Sequence, residues 1–123
     1  MKKNETSNAI NRDTLNRTCM LHNVLHMIEG RWKPALLMKI QEGVTRFGKL
    51  KTSLPGISEK MLAQQLKELE QDQLISKTIY PEVPPRTTYA LTDRGAELHH
   101  FLQLMCDWGM QHLVDNETIA NAN

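Results

Sequence analysis

The strongest constraint on this chain is a change of period. From residue 59 to residue 71 the leucines fall at 62, 66 and 69, a four-and-three spacing that puts them on one side of a helix. From Ile75 the period drops to two. Ile75, Lys77 and Ile79 alternate with Ser76, Thr78 and Tyr80, and Thr87, Tyr89 and Leu91 repeat the alternation. Between the two runs lies Pro81, Glu82, Val83, Pro84, Pro85, Arg86. Proline carries no ladder N–H, so this stretch is barred from a central strand. The pattern predicts a helix followed by a two-stranded hairpin with a stiff tip.

The flanking segments are helical in pattern. Met20, Val24, Met27 and Ile28 form an amphipathic helix that stops at Gly30. Residues 34–40 are apolar on nearly every face, which predicts a central buried helix; Pro34 suits its first turn and Gly43 ends it. Residues 45–47 read as a short extended link, and residues 47–54 as a short helix closed by Pro55 and Gly56. Ser58 is a good N-cap for the leucine-striped helix. Two helices joined by a Pro-Gly turn outline a helix-turn-helix. Thr92 caps a last long helix, with Leu98, Phe101, Leu102, Met105 and Leu113 on one face, widened by Leu104 and Trp108.

Helix, helix, helix-turn-helix, β-ribbon, helix is a winged helix-turn-helix order. The expected fold is mainly α with a small β-hairpin wing (α+β), dimerising through terminal helices. Residues 1–17 are polar and lack periodicity, so they read as a flexible arm; 18–114 form the domain and 115–123 a flexible tail.

Composition narrows the function. A chain of 123 residues is expected to form one domain. The net charge of +1 hides an asymmetry: residues 31–94 carry +4 and residues 95–123 carry −4. A basic middle fits an anionic partner there. No run of eighteen apolar residues exists and residues 1–17 hold no apolar signal core, so a cytoplasmic protein with no membrane partner is expected. Two cysteines, Cys19 and Cys106, make neither a disulfide framework nor a zinc site by themselves. No Gly-rich phosphate loop or nucleophile elbow occurs, so neither an enzyme nor a cofactor is expected.

From Cys19 to about Leu113 the chain closely resembles the HxlR family of bacterial winged helix-turn-helix transcription regulators, relatives of the MarR group. The matching pieces are Gly30-Arg31-Trp32, Arg46-Phe47, Leu54-Pro55-Gly56-Ile57-Ser58-x-Lys60-x-Leu62, Leu69-Glu70, the run from Tyr80 to Arg86, Tyr89-x-Leu91-Thr92-x-x-Gly95 and Trp108. The resemblance implies a homodimer on pseudopalindromic double-stranded operator DNA. It also implies, in many members, a cysteine near the start of the first helix that senses electrophiles or oxidants. The chain departs from the family at Met20, where proline is usual, at Gln73, where glycine usually ends the recognition helix, and at Thr88, where an acid is usual.

Several residues then become candidates, each against a plainer reading. Lys60, Gln64 and Lys67, flanked by Met61 and Ala63, lie opposite the leucine stripe. Glutamine pairs with adenine and lysine donates to guanine or phosphate. Ser58 at the helix N-terminus would hold a phosphate with backbone amides. The plainer reading is a solvated face. Arg86, held out by prolines, would enter a minor groove; otherwise it is a surface arginine in a stiff turn. Arg46, Lys49 and Lys51 are phosphate contacts or simple solubility.

The apolar surface of Leu98, Phe101, Leu102, Met105 and Trp108 exceeds what a small core covers, which favours a subunit partner over internal packing. Cys19, at or just before a helix N-terminus with Arg17 close by, is a candidate redox sensor or alternatively inert. Cys106 reads as packing. His22 and His26 have metal-ligand spacing but no evident third ligand, so they read as surface or interface histidines. The expected function is a DNA-binding repressor, switched by thiol modification at Cys19. The alternatives are regulation by a small-molecule ligand without redox sensing, and a winged-helix protein-interaction module that would show no salt-dependent DNA binding.

Overall fold

A computed structural model describes residues 2–114, with side chains from residue 11 onward. The chain divides into two compact units, Met1–Gly30 and Arg31–Asn123. The first contains one long helix, α1 (Lys2–Ile28). Residues 2–17, read from the sequence as part of a flexible arm, thus lie within a helix. Local polar contacts accompany it: Arg17 pairs with Asp13 one turn earlier at 3.1 Å, and the Thr18 hydroxyl donates to the Thr14 carbonyl at 2.8 Å. A helix held by its own polar pairs needs no apolar stripe, which is why periodicity missed it. The expected tail over 115–123 lies outside the described residues.

The second unit holds α2 (Trp32–Gln41), α3 (Phe47–Ser53), α4 (Glu59–Gln71), β1 (Ile75–Tyr80), β2 (Arg86–Leu91) and α5 (Asp93–His112). Helix α2 is central and contacts α3, α4, α5 and β2. Its Leu36, Leu37 and Ile40 are buried, while Met38 faces outward, so the helix is covered on most sides rather than all. Leu36, Leu37, Leu50, Leu62, Leu66, Leu69, Leu74 and Ile75 are the largest fully buried side chains. Each stabilises the fold by ~1.5–3 kcal/mol relative to exposure.

The wing is the expected hairpin. Strands β1 and β2 run antiparallel from the pair Ile75 and Leu91 to the pair Tyr80 and Arg86. Residues 45–47 dock against it: Arg46 bridges Thr88, and the Tyr89 N–H donates to the Thr45 carbonyl at 2.9 Å. Tyr89 is buried; its desolvation, with Glu70 adding repulsion, pushes the phenol above its ordinary value of 10.0. On β1 only Ile75 is buried, so the outer part of the wing stands free of the core. Among the described residues no helix is long and apolar enough to cross a membrane.

One junction sets the relation of α4, the wing and α5. Helix α4 ends in a Schellman arrangement: the Gln73 N–H donates to the Glu70 carbonyl and the Leu74 N–H to the Leu69 carbonyl, at 2.9 and 3.0 Å. This puts Gln73 at φ 61°, in the left-handed region that favours glycine. A side chain there costs about 1 kcal/mol. The Gln73 carbonyl is then held by the Thr92 hydroxyl at 2.6 Å. The Thr92 N–H donates to the Leu74 carbonyl at 3.1 Å, and the same Thr92 oxygen caps α5 by accepting from the Gly95 N–H at 3.0 Å. Gly95 is buried so close to Leu74 that a Cβ would overlap its carbonyl oxygen and lie 2.8 Å from its carbonyl carbon.

Two substitutions at this junction should move stability in opposite directions. Gly95→Ala should destabilise by about 3 kcal/mol or more, because backbone rather than a flexible side chain must yield. Gln73→Gly should stabilise by up to about 1 kcal/mol by removing the left-handed strain. Chemical denaturation of the two variants measures both.

Candidate nucleic-acid interface

Helix α4 sorts its residues onto two faces. Leu62, Leu66 and Leu69 are at most 1% exposed, whereas Lys60, Met61, Ala63, Gln64 and Lys67 all face solvent. Ser58 is the N-cap: its hydroxyl oxygen accepts from the Met61 N–H at 3.0 Å. That leaves the Ser58 O–H free to donate outward. Gln65 donates from Nε2 to the Met61 sulfur at 3.5 Å, which ties Met61 along the helix. Neither Lys60 nor Lys67 is engaged in an ion pair among the described residues, so both ammonium groups are available to an anionic ligand.

A second basic element borders α3. Arg46 and Lys49 are exposed and line an open groove with Gly48 and Thr52. Their presentation follows from the extended backbone at Arg46 (φ −83°, ψ 141°), where the chain turns from its bridge with β2 into α3. Lys51 is half-buried on the same helix and does not line that groove.

Arg86 departs from expectation. It is not held out at the wing tip. Its guanidinium carbon lies 4.0 Å from the centroid of the Tyr80 ring, and Nη2 pairs with Glu82 at 3.2 Å. Its Nε is buried without a hydrogen-bond partner. The tip instead exposes Val83 completely. Proline spacing gave no sign of this, because the cross-strand register that sets Arg86 opposite Tyr80 is a tertiary fact.

Helix α5 carries the exposed apolar surface that its many apolar residues implied. Phe101, Met105 and Trp108 are 52%, 56% and 58% exposed, with Leu104 and Leu113 beside them in sequence and also exposed. Leu98 and Leu102 are half-buried, so the five expected interface residues divide between an outward strip and its inner edge. Trp108 packs its ring against His112 with centroids 4.8 Å apart. Separately, α1 exposes Leu15, Met20 and Leu21.

Both thiols are exposed. For Cys106 this corrects the expectation of a packed cysteine: the outward apolar strip of α5 extends to its position. Cys19 lies well inside α1, because the helix begins at Lys2. It therefore has no helix N-terminus to stabilise a thiolate, and the nearby Arg17 is already paired with Asp13. His26 Nδ1 lies 2.9 Å from Glu29 Oε1, and among the described residues no group of three or more potential metal ligands gathers.

Comparison with known proteins gives one consistent answer. Residues 27–117 match the HxlR-like helix-turn-helix family. A protein named for a regulatory role, MalR of Fusobacterium mortiferum, is 45% identical over 95 residues, 76% of this chain and 90% of its own. Among solved structures, a transcriptional regulator of the MarR family from Enterococcus faecalis V583 superposes with a TM-score of 0.72 at 34% identity, covering 76% of this chain and 86% of its own. The redox regulator HypR in its reduced form gives 0.71 at 31% identity, covering 84% and 98%.

The angle at which α4 presents its outer face rests on more than leucines. Lys33 of α2 reaches Glu68 of α4 at 3.3 Å, with the lysine side chain only 12% exposed. No sequence signal marks this pair, since its members are far apart in the chain. It differs from an ordinary surface bridge because one partner is nearly desolvated. A double-mutant cycle with Lys33→Met and Glu68→Gln should give a coupling of roughly 1 kcal/mol or more, above the usual surface value.

Proposed function

The chain belongs to the HxlR-like helix-turn-helix family of transcriptional regulators, and we propose that it works as a homodimeric repressor on a pseudopalindromic operator, with α4 as the reading helix. The observation that carries this is the division of α4. A leucine face is locked into the core and an outer face of Lys60, Gln64 and Lys67 stands open.

Each residue then has a role set by its chemistry. Gln64 pairs with an adenine edge in the major groove, and Lys60 donates to guanine or a nearby phosphate. Lys67, Arg46 and Lys49 contact phosphates. Ser58 and the first amides of α4 hold another phosphate. Met61 offers an apolar contact to a thymine methyl. These assignments rest on exposure and residue type.

The dimer is proposed on the apolar strip of Phe101, Met105 and Trp108, with Leu98 and Leu102 at its edge and α1 contributing its own exposed Leu15, Met20 and Leu21. Two-fold pairing would set two α4 helices about one DNA turn apart, roughly 34–36 Å. Repression then follows from occupying the operator and blocking polymerase in the cytoplasm.

Two effector readings stand. Exposure of Cys19, together with the likeness to a redox regulator, supports a thiol switch: an electrophile alkylates it, or a two-electron oxidant joins it to a second thiol, a peroxide through a sulfenic acid that condenses with loss of water and diamide through an adduct from which the second thiol displaces the hydrazine. Its place inside α1, away from a helix N-terminus, favours instead a small-molecule effector that acts without cysteine chemistry.

The test is binding to duplex DNA from upstream of the protein's own gene over a salt series, with and without diamide. Wild type should bind steeply with salt, two chains per duplex. Lys67→Ala should weaken binding to every duplex and lower the salt slope by about one, whereas Gln64→Ala should change which sequence is preferred. Binding that follows diamide in wild type but not in Cys19→Ser identifies the thiol switch; binding indifferent to diamide leaves the small-molecule reading. Absence of binding to this DNA and to random-sequence duplexes overturns the proposal.

A further inference from the structure

The wing of a DNA-binding winged helix is effective only if its tip is held at a fixed place, and this wing has little core to hold it. All of β1 beyond Ile75 is exposed, and the loop from 81 to 85 brings three prolines, Glu82 and a fully exposed Val83. The cation that directly follows that loop in the chain is Arg86, and it is already engaged in three ways. It faces Tyr80 across the last rung of the hairpin. Its guanidinium carbon lies over the Tyr80 ring, 4.0 Å from the centroid. Its Nη2 reaches forward to Glu82 in the loop at 3.2 Å, and its Nε is buried. Glu82 is itself anchored, since its N–H donates to the Tyr80 carbonyl at 2.8 Å. The three side chains form a closed clasp across the base of the loop. The same loop, with Arg86 and Thr87, lines a groove against Arg46, Phe47 and Gly48 at the start of α3, so its position bears directly on the basic element there.

We propose that Arg86 is a positioning residue of the wing, clasping Tyr80 and Glu82 to hold the 81–85 loop beside α3, rather than a side chain that contacts DNA. A planar guanidinium suits this work: it stacks on an aromatic face and presents an N–H edge to a carboxylate at once, which an ammonium does not do. Withdrawing Arg86 for DNA would break the pair, uncover the Tyr80 face and leave Glu82 unpaired next to phosphates. The clasp leaves the tip an apolar point, Val83 with its flanking prolines, which touches a groove by shape. This inference rests on the DNA-binding reading above, and the test separates failure of the one from failure of the other.

Two measurements on the full chain decide it. In the protein without DNA, the Arg86 Nε–H resonance should lie upfield of free arginine because of the Tyr80 ring current. It should lose that shift in Tyr80→Leu and keep it in Tyr80→Phe, which preserves the ring. In duplex binding over a salt series, Arg86→Ala, Arg86→Lys and Tyr80→Leu should each weaken affinity by about three- to tenfold. The salt slope of Arg86→Lys and Tyr80→Leu should stay that of wild type. The double variant Arg86→Ala, Tyr80→Leu should bind no worse than either single one, and Tyr80→Phe should bind as wild type. The clasp is overturned if the resonance sits at the free-arginine position. The positioning role is overturned if Tyr80→Leu binds as wild type while Arg86→Ala lowers the salt slope by about one and Arg86→Lys restores it, the pattern of a phosphate contact. A wild-type chain that binds no duplex removes the DNA reading and the positioning role with it, while the resonance still decides whether the clasp exists.

Discussion

The close approach of α5 to the turn after α4 is the constraint on which the rest of this fold depends. At one point three elements meet: the end of α4, the start of β1 and the cap of α5. Thr92 bonds to both Gln73 and Leu74, and Gly95 gives up a side chain so that Leu74 can lie against the helix. The cost is carried by Gln73, whose left-handed backbone would suit glycine better. Hydrogen bonds on both flanks hold a conformation that the residue alone would not choose.

From that junction the candidate surface follows. Leu62, Leu66 and Leu69 seat α4 in the core, and the half-desolvated pair of Lys33 and Glu68 fixes it against α2. The outer residues of α4 then have no freedom to turn away from solvent. On the other side of the junction the strands carry the wing outward, and Thr45 and Arg46 join β2 so that α3 starts beside it. The outer face of α4, the wing and α5 thus meet at one junction, tied by Thr92 and Gly95.

Much of this was legible in the sequence, for definite reasons. The period switch at Ile75 reported both the end of α4 and the hairpin, because each element must bury one face and each has its own spacing. Ser58 and Thr92 were legible as caps, since a hydroxyl before a helical run has a local partner to find. What escaped reading was set by tertiary register or by polar local pairs. Arg86 looked outward from its neighbours, yet its surroundings come from Tyr80 on the opposite strand. Residues 2–17 lack an apolar stripe, yet lie in α1, where Asp13 pairs with Arg17. That longer helix also moved Cys19 away from a helix start, which changed the chemistry available to it. Lys33 and Glu68 carry no mark in the sequence at all.

The account stands or falls on whether two copies of α4 read one duplex. Selection of bound sequences by the full chain from a random duplex library measures this most directly. The account predicts enrichment of an inverted repeat with half-site centres about one helical turn apart, roughly 34–36 Å. Recovery of sequences with no shared motif, or of a single unrepeated site bound by one chain, would contradict it.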